Sequence, residues 1–314
     1  MFENQSESRD WGRRWRVPYL QAWHRLSIVL RQWWILTRRY WDLKKADRWY
    51  LCILILQAPF IGSLLGLVFH KSDDPYSGAL MFTLAISALW FGVFSSIREI
   101  VSEQAIYYRE RMINLKIPAY VFSKIPVLFG MNLIQSLILL VIVYPWVAID
   151  RQLGMGANLS RMVAMFFILL LTASAGVAFG LMLSALSILL GKQTQSRMGM
   201  SSSEVAMSLI PLALLPQVIL GGPFIIYERA LWLTKVGSKL MVSRWTLSAL
   251  LNLERSGLRD MAKRLGMRDE RIIVSCAVIA LFGILLLLAT MGLLKLQEVG
   301  RGKKKQKFGW RNSL

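Results

Sequence analysis

The sequence predicts an all-α polytopic membrane protein with six transmembrane helices. Three observations carry this. Of the 314 residues, 55% are hydrophobic, and the mean hydropathy is +0.46. Several apolar runs approach or exceed the ~20 residues that a spanning helix needs. No stretch alternates apolar and polar residues over the length of a barrel strand, which argues against a transmembrane barrel.

The net charge of +20 points either to nucleic acid or to a membrane surface. The basic segments match no nucleic-acid-binding motif, so no nucleic-acid partner is expected. In a membrane protein, anionic lipid and the Lys/Arg excess of cytoplasmic loops account for such a charge. Cys52 and Cys276 both fall inside apolar runs and indicate no disulfide framework. His24 and His70 stand alone, so no metal site is expected. The first 48 residues lack the apolar core of a signal peptide, and the first span is expected to act as the insertion signal.

Each element follows in order. Residues 1–48 form a basic, tryptophan-rich tail and an amphipathic helix over 19–43. Trp23, Leu26, Leu30, Trp33, Trp34 and Trp41 share one face, with Arg25, Gln32 and Arg39 opposite. Such a helix lies in the membrane interface. Residues 49–294 hold the spans, at about 49–69, 79–96, 125–148, 162–190, 205–221 and 272–294. Ser201, Ser202 or Ser203 caps the fifth. That span holds Pro211 and Pro216 and is expected to be broken. Residues 222–271 make a long excursion, apolar in its first half and basic-amphipathic over 256–270. Residues 295–314 form a basic tail.

Six spans put both termini on one side. That side carries 25 Lys and Arg and the other 13, ten of them within the long excursion. The termini are therefore expected in the cytoplasm, as a multi-pass protein of the cell inner (cytoplasmic) membrane.

Between the second and third spans lies a stretch too charged to cross, residues 98–124. It carries Arg98, Glu99, Glu103, Arg109, Glu110, Arg111, Lys116 and Lys124. Ile100, Tyr107, Tyr108 and Leu115 allow a helical apolar stripe, and Pro118 is expected to break the chain before the third span. The stretch is either a solvated loop or a docking element for a soluble partner.

Four stretches resemble the membrane domain of the ABCG-like, ABC-2 type (type II exporter) ABC transporters. One runs from Gln32-Trp-Trp-Ile-Leu36 through Arg38-Arg39 and Asp47-Arg48 to Gln57-Ala-Pro-Phe-Ile-Gly62. The most specific runs from Glu103 through Arg109-Glu110-Arg111-Met112 to Tyr120 and Ser123-Lys124, and is similar to the family's coupling helix. Ser203 to Pro211 with Pro216-Gln217 resembles the fifth span. Ser243-Arg-Trp-Thr-Leu-Ser-Ala-Leu-Leu251 resembles a stretch before the last span. The likeness covers roughly residues 30–295.

The resemblance implies a permease subunit of an ATP-driven exporter, forming half of a pathway with a second, identical or homologous permease. The hairpin at 98–124 would couple to the ATPase through Glu103, Arg109, Glu110 and Arg111. No G-x-x-x-x-G-K-[ST] phosphate loop occurs in the sequence. The chain itself is expected to bind no cofactor, with ATP and Mg held by a separate ATPase subunit. The second and fifth spans would line the pathway. Ser87, Trp90, Phe91 and Phe94 recur at helical spacing, and Trp90, Phe91 and Phe94 either face that pathway together or pack against neighbours. Gly221, Gly222, Pro223 and Phe224 form either an outer valve, with Phe224 as an apolar plug, or an ordinary loop. The excursion would re-enter the outer leaflet.

The spans lack mid-span His, Asp or Glu, which favours a lipid-like, lipid-linked or amphipathic substrate. The same lack argues against a lipid-modifying membrane enzyme. A scaffold that recruits a soluble partner stays open. Charge reversal in the hairpin is expected to leave folding intact, since exposed ion pairs contribute only ~0–1 kcal/mol.

Overall fold

The computed structural model describes residues 7–69, 78–146, 155–222, 231–253 and 271–311. Those residues form ten helices: α1 Glu7–Ala46, α2 Arg48–Val68, α3 Gly78–Ser96, α4 Gln104–Met112, α5 Ile117–Trp146, α6 Met155–Met198, α7 Ser202–Gly221, α8 Trp232–Lys239, α9 Val242–Leu253 and α10 Ile272–Arg311. Six are long and apolar enough to cross a membrane: α2, α3, α5, α6, α7 and α10. The fold class is as expected.

The differences lie at boundaries and have local causes. Pro118 does not break the chain. It sits in the first turn of α5, where a missing N–H has no helical partner to lose. The break falls earlier, at Asn114, whose φ of 72° places it in the left-handed region. Asparagine tolerates that conformation and ends α4 with an αL cap. The fifth span is likewise continuous, with Pro211 and Pro216 inside α7. Its start is fixed by a capping box: Glu204 N–H donates to Ser201 Oγ (3.3 Å) and Ser201 N–H to Glu204 Oε2 (2.7 Å). Asp47 caps α2 by accepting from Tyr50 N–H and separates it from α1 by a single residue.

Burial is uneven. The apolar window of α3 is 72% buried within the chain, that of α10 only 11%. Helices in lipid gain little by hiding apolar surface from one another, because acyl chains are as apolar as leucine; close packing must hold them. The α3–α6 seam achieves this with small residues. A Cβ at Gly92 would overlap the Ala173 carbonyl oxygen and lie 2.6 Å from the Val177 nitrogen. Gly176 lies opposite, where a Cβ would overlap the Leu89 carbonyl oxygen. Backbone therefore meets backbone along this line. α9 is buried over most of its length and packs against α3, α6, α7 and α10.

The face of α1 also differs from the expected one. Leu36 and Tyr40 are buried and Trp33 is partly buried against the core, while Trp34 and Trp41 are exposed. The packing stripe is Val29, Trp33, Leu36, Tyr40 and Lys44, laid along α5. Trp23 and Leu26 have side chains outside the described residues.

Candidate functional site

The stretch between α3 and α5 consists of turns over 97–103, the short helix α4 and a turn over 113–116. Its apolar stripe is inward, as the spacing suggested: Ile100 and Tyr107 are 1% exposed and Leu115 is 6%. The start of the stretch is pinned to α6, because Ile100 and Val101 N–H both donate to Ser184 Oγ (3.2 and 3.1 Å).

Its charges reach three different helices. Glu110 pairs with Arg39 on α1. Glu99 pairs with Lys44 and accepts from the Tyr40 hydroxyl, both also on α1. Glu103 accepts from Lys124 Nζ on α5 at 2.6 Å and from the Tyr120 hydroxyl at 3.3 Å. Arg111 pairs with Glu298 on α10 at 2.5 Å. The Tyr107 hydroxyl also donates to Glu298 (3.0 Å), and Gln297 Nε2 donates to the Ala185 carbonyl.

Two ammonium groups are withdrawn from water here. The Lys124 side chain is 1% exposed and that of Lys44 is 11%. Desolvation of an ammonium costs several kcal/mol unless it is well paired. Both have a carboxylate and an aromatic cage. Lys124 Nζ lies 4.4 Å from the Tyr40 ring centroid and 5.0 Å from that of Tyr120. Lys44 Nζ lies 4.4 Å from the Tyr50 centroid. Burial, then the neighbouring Glu99, pushes the Tyr40 hydroxyl well above its ordinary range, so it stays a donor. The hydrogen bonds to Glu110 and Glu298 raise Arg39 and Arg111 above theirs.

Of the four expected coupling residues, Glu103, Glu110 and Arg111 are thus engaged within the chain. Arg109 is exposed. It shares the outward surface of α4 and its following turn with Ile106, Met112 and Ile113, which are 37%, 77% and 83% exposed. The expectation that charge reversal spares folding assumed exposed ion pairs, and Glu103 does not meet that premise, because the side chain of its partner Lys124 is 1% exposed. The sequence reading did not pick out Arg39, Tyr40, Lys44, Glu99, Lys124 or Glu298 as partners. They lie 21 to 187 residues from the groups they meet, beyond any local pattern.

In α3, Trp90 is 37% exposed and its ring meets that of Phe94 edge-on, with centroids 6.0 Å apart. Phe91 is 1% exposed and belongs to the core. The three aromatics therefore do not share an outward face. The outward stripe is Thr83, Ile86, Trp90 and Phe94. On α7 the exposed residues Leu212, Leu215 and Ile219 line one face.

At the far end of α7, Gly221 and Gly222 are buried. A Cβ at Gly221 would overlap Ser243 Oγ, and one at Gly222 would lie 2.6 Å from Phe82 Cζ. Ser243 Oγ donates to the Gln217 carbonyl (2.6 Å), and Ser243 N–H donates to Gln217 Oε1 (3.2 Å). These glycines let α9 and α3 approach α7. Pro223 and Phe224 lie outside the described residues, as does the 256–270 segment. Arg244 is 2% exposed and donates to Ser238 Oγ (3.0 Å). Among the described residues, no group of His, Cys, Asp and Glu is placed to hold a metal.

The sequence is similar to known proteins. Over 209 residues it is 27% identical to the ABC transporter ATP-binding/permease protein Rv1747 of Mycobacterium tuberculosis. The aligned part is 63% of this chain and 22% of that protein, so the chain spans only about a fifth of that relative's length. The profile of the ABC-2 type transporter family matches residues 31–254, from the middle of α1 to the end of α9. With six spans and a match over most of its length, the chain is a multi-pass membrane protein that belongs to the ABC-2 type transporter family.

Proposed function

We propose that the chain is the permease half of an ATP-driven exporter, and that the hairpin at 98–124 is the lever on which a separate ABC ATPase subunit acts. One observation carries this reading. The hairpin is tied by ion pairs to α1, α5 and α10, yet presents Ile106, Arg109, Met112 and Ile113 outward. A force applied to that surface reaches three helices at once. A rigid element fixed at several points moves them together rather than bending alone.

On this reading the hairpin and both termini face the cytoplasm, and ATP and Mg sit on the partner. A second permease, identical or homologous, meets the exposed apolar stripes of α3 and α7. The pathway residues are then Trp90 and Phe94, with Phe91 behind them in the core. Gly221 and Gly222 lead to the outer valve. The apolar character of both stripes favours a hydrophobic or amphipathic cargo.

Native mass spectrometry of the tagged chain, purified in mild detergent, tests the reading. The expected species holds two permeases and two ATPase subunits. A cysteine at Ile113 should crosslink to the ATPase. A chain that transports as a single permease, or whose Ile113 cysteine never reaches the ATPase, overturns it.

A further inference from the structure

We propose that a phospholipid of the hairpin-side leaflet is bound at a defined site, with one acyl chain in a groove along α5 and an anionic headgroup at Lys116. Two cavities make the groove. The first, about 370 Å³, lies between Val29 and Trp33 of α1 and Pro118, Phe122 and Ile125 of α5. The second, about 220 Å³, lies between Ile125 and Phe129 of α5, Leu171 and Ala175 of α6, and Gly283 of α10. Both are lined by Ile125 and so adjoin at that residue. Pro118 and Phe129 are eleven residues apart, about 16 Å at helical rise. Half of a bilayer's hydrocarbon core is ~15 Å. The groove has the depth of one leaflet.

The lining suits an acyl chain: the deep end, a cavity of about 220 Å³, is bounded by aliphatic and aromatic side chains. Its only polar side chain, Ser174, already donates to the Leu170 carbonyl at 2.8 Å, so nothing there asks for water. Gly283 differs in kind from the glycines of the α3–α6 seam. A Cβ at Gly283 would meet Ala175 Cα at an ordinary 3.7 Å. Close helix approach does not require glycine here, and its small size leaves open space instead.

The mouth is polar and basic. Lys116 is exposed two residues before Pro118. Its Nζ donates one bond, to Asn114 Oδ1 at 3.1 Å, of the three an ammonium can make. Arg31 is exposed on the facing helix. Trp33 Nε1 donates to the Phe122 carbonyl at 3.0 Å, which fixes the indole as part of the lining of the first cavity. The inference rests on membrane embedding alone, so failure of the ATPase test leaves it standing.

The test places the chain in phosphatidylcholine nanodiscs doped with phosphatidylglycerol that carries a diazirine at the end of one acyl chain. After illumination, peptides containing Phe129, Leu171 or Gly283 should be labelled about ten-fold more than the exposed α2 residues Ile53, Leu56 and Phe60. Gly283→Leu should cut groove labelling at least five-fold, and Gly283→Ala should retain most of it. Ile125→Trp, which adds bulk where the cavities adjoin, should act as Gly283→Leu does and stands in for it if the leucine variant misfolds. Lys116→Gln should reduce labelling by the phosphatidylglycerol probe several-fold and leave that by a phosphatidylcholine probe unchanged. Labelling spread evenly over α2 and the groove, or insensitive to both filling variants, overturns the site. Equal labelling by the two headgroups overturns the anionic assignment.

Discussion

The α3–α6 seam and the base of the hairpin adjoin, yet they are held together in opposite ways. The seam is built from small residues and backbone. Gly92 faces Ala173 and Val177, and Gly176 faces Leu89, with backbone against backbone. The hairpin base is the reverse: four carboxylates, two arginines, two lysines and several tyrosines, each with a named partner. The seam depends on shape and tolerates no addition. The base depends on charge pairing. α3 and α6 therefore meet through backbone contact, whereas the hairpin meets its neighbours through discrete ion pairs.

Variants ordered by size of effect sharpen this contrast. Gly92→Leu should be the most damaging, because its Cβ alone already overlaps α6 backbone. The expected outcome is loss of a monodisperse peak in size-exclusion chromatography, with no rescue by added lipid. Glu103→Lys should follow, costing about 3–5 kcal/mol by leaving buried Lys124 beside a like charge. Its thermal melting in detergent should fall. The double variant with Lys124→Glu should recover much of it, which no second substitution does for Gly92→Leu.

Arg39→Ala should cost less, ~1 kcal/mol or below, since the Arg39 side chain is 40% exposed. High salt should lower the melting temperature of the parent towards that of the variant. Arg109→Glu should leave melting unchanged within error and lower ATP-driven transport in proteoliposomes at least several-fold. A melting shift for Arg109→Glu as large as that for Glu103→Lys would erase the distinction between paired and outward charges.

The spans, and a cap from one of Ser201, Ser202 and Ser203, were legible in the sequence because hydropathy and capping are local. Helix α7 shows a limit of local rules. Two prolines read as breaks, yet the helix continues through both. Phe91 shows another. Spacing placed it with Trp90 and Phe94, yet the buried side of α3 is wide enough to include it. In a helix so enclosed, periodicity does not mark the outward stripe. The hairpin charges were visible as a cluster, but their partners were not. Glu99 with Lys44 and Arg111 with Glu298 are pairs that only the packing of α1 and α10 brings together.

The pairing of Arg111 with Glu298 sets an order in time. The two residues are 187 positions apart, with Glu298 on the last helix. At ~5–20 residues per second of synthesis, Arg111 waits roughly 10–40 s for its partner to be made. Until then Tyr107 lacks its carboxylate acceptor and the hairpin lacks its third support. The surface proposed to meet the ATPase thus gains this support only after a further 187 residues have been made.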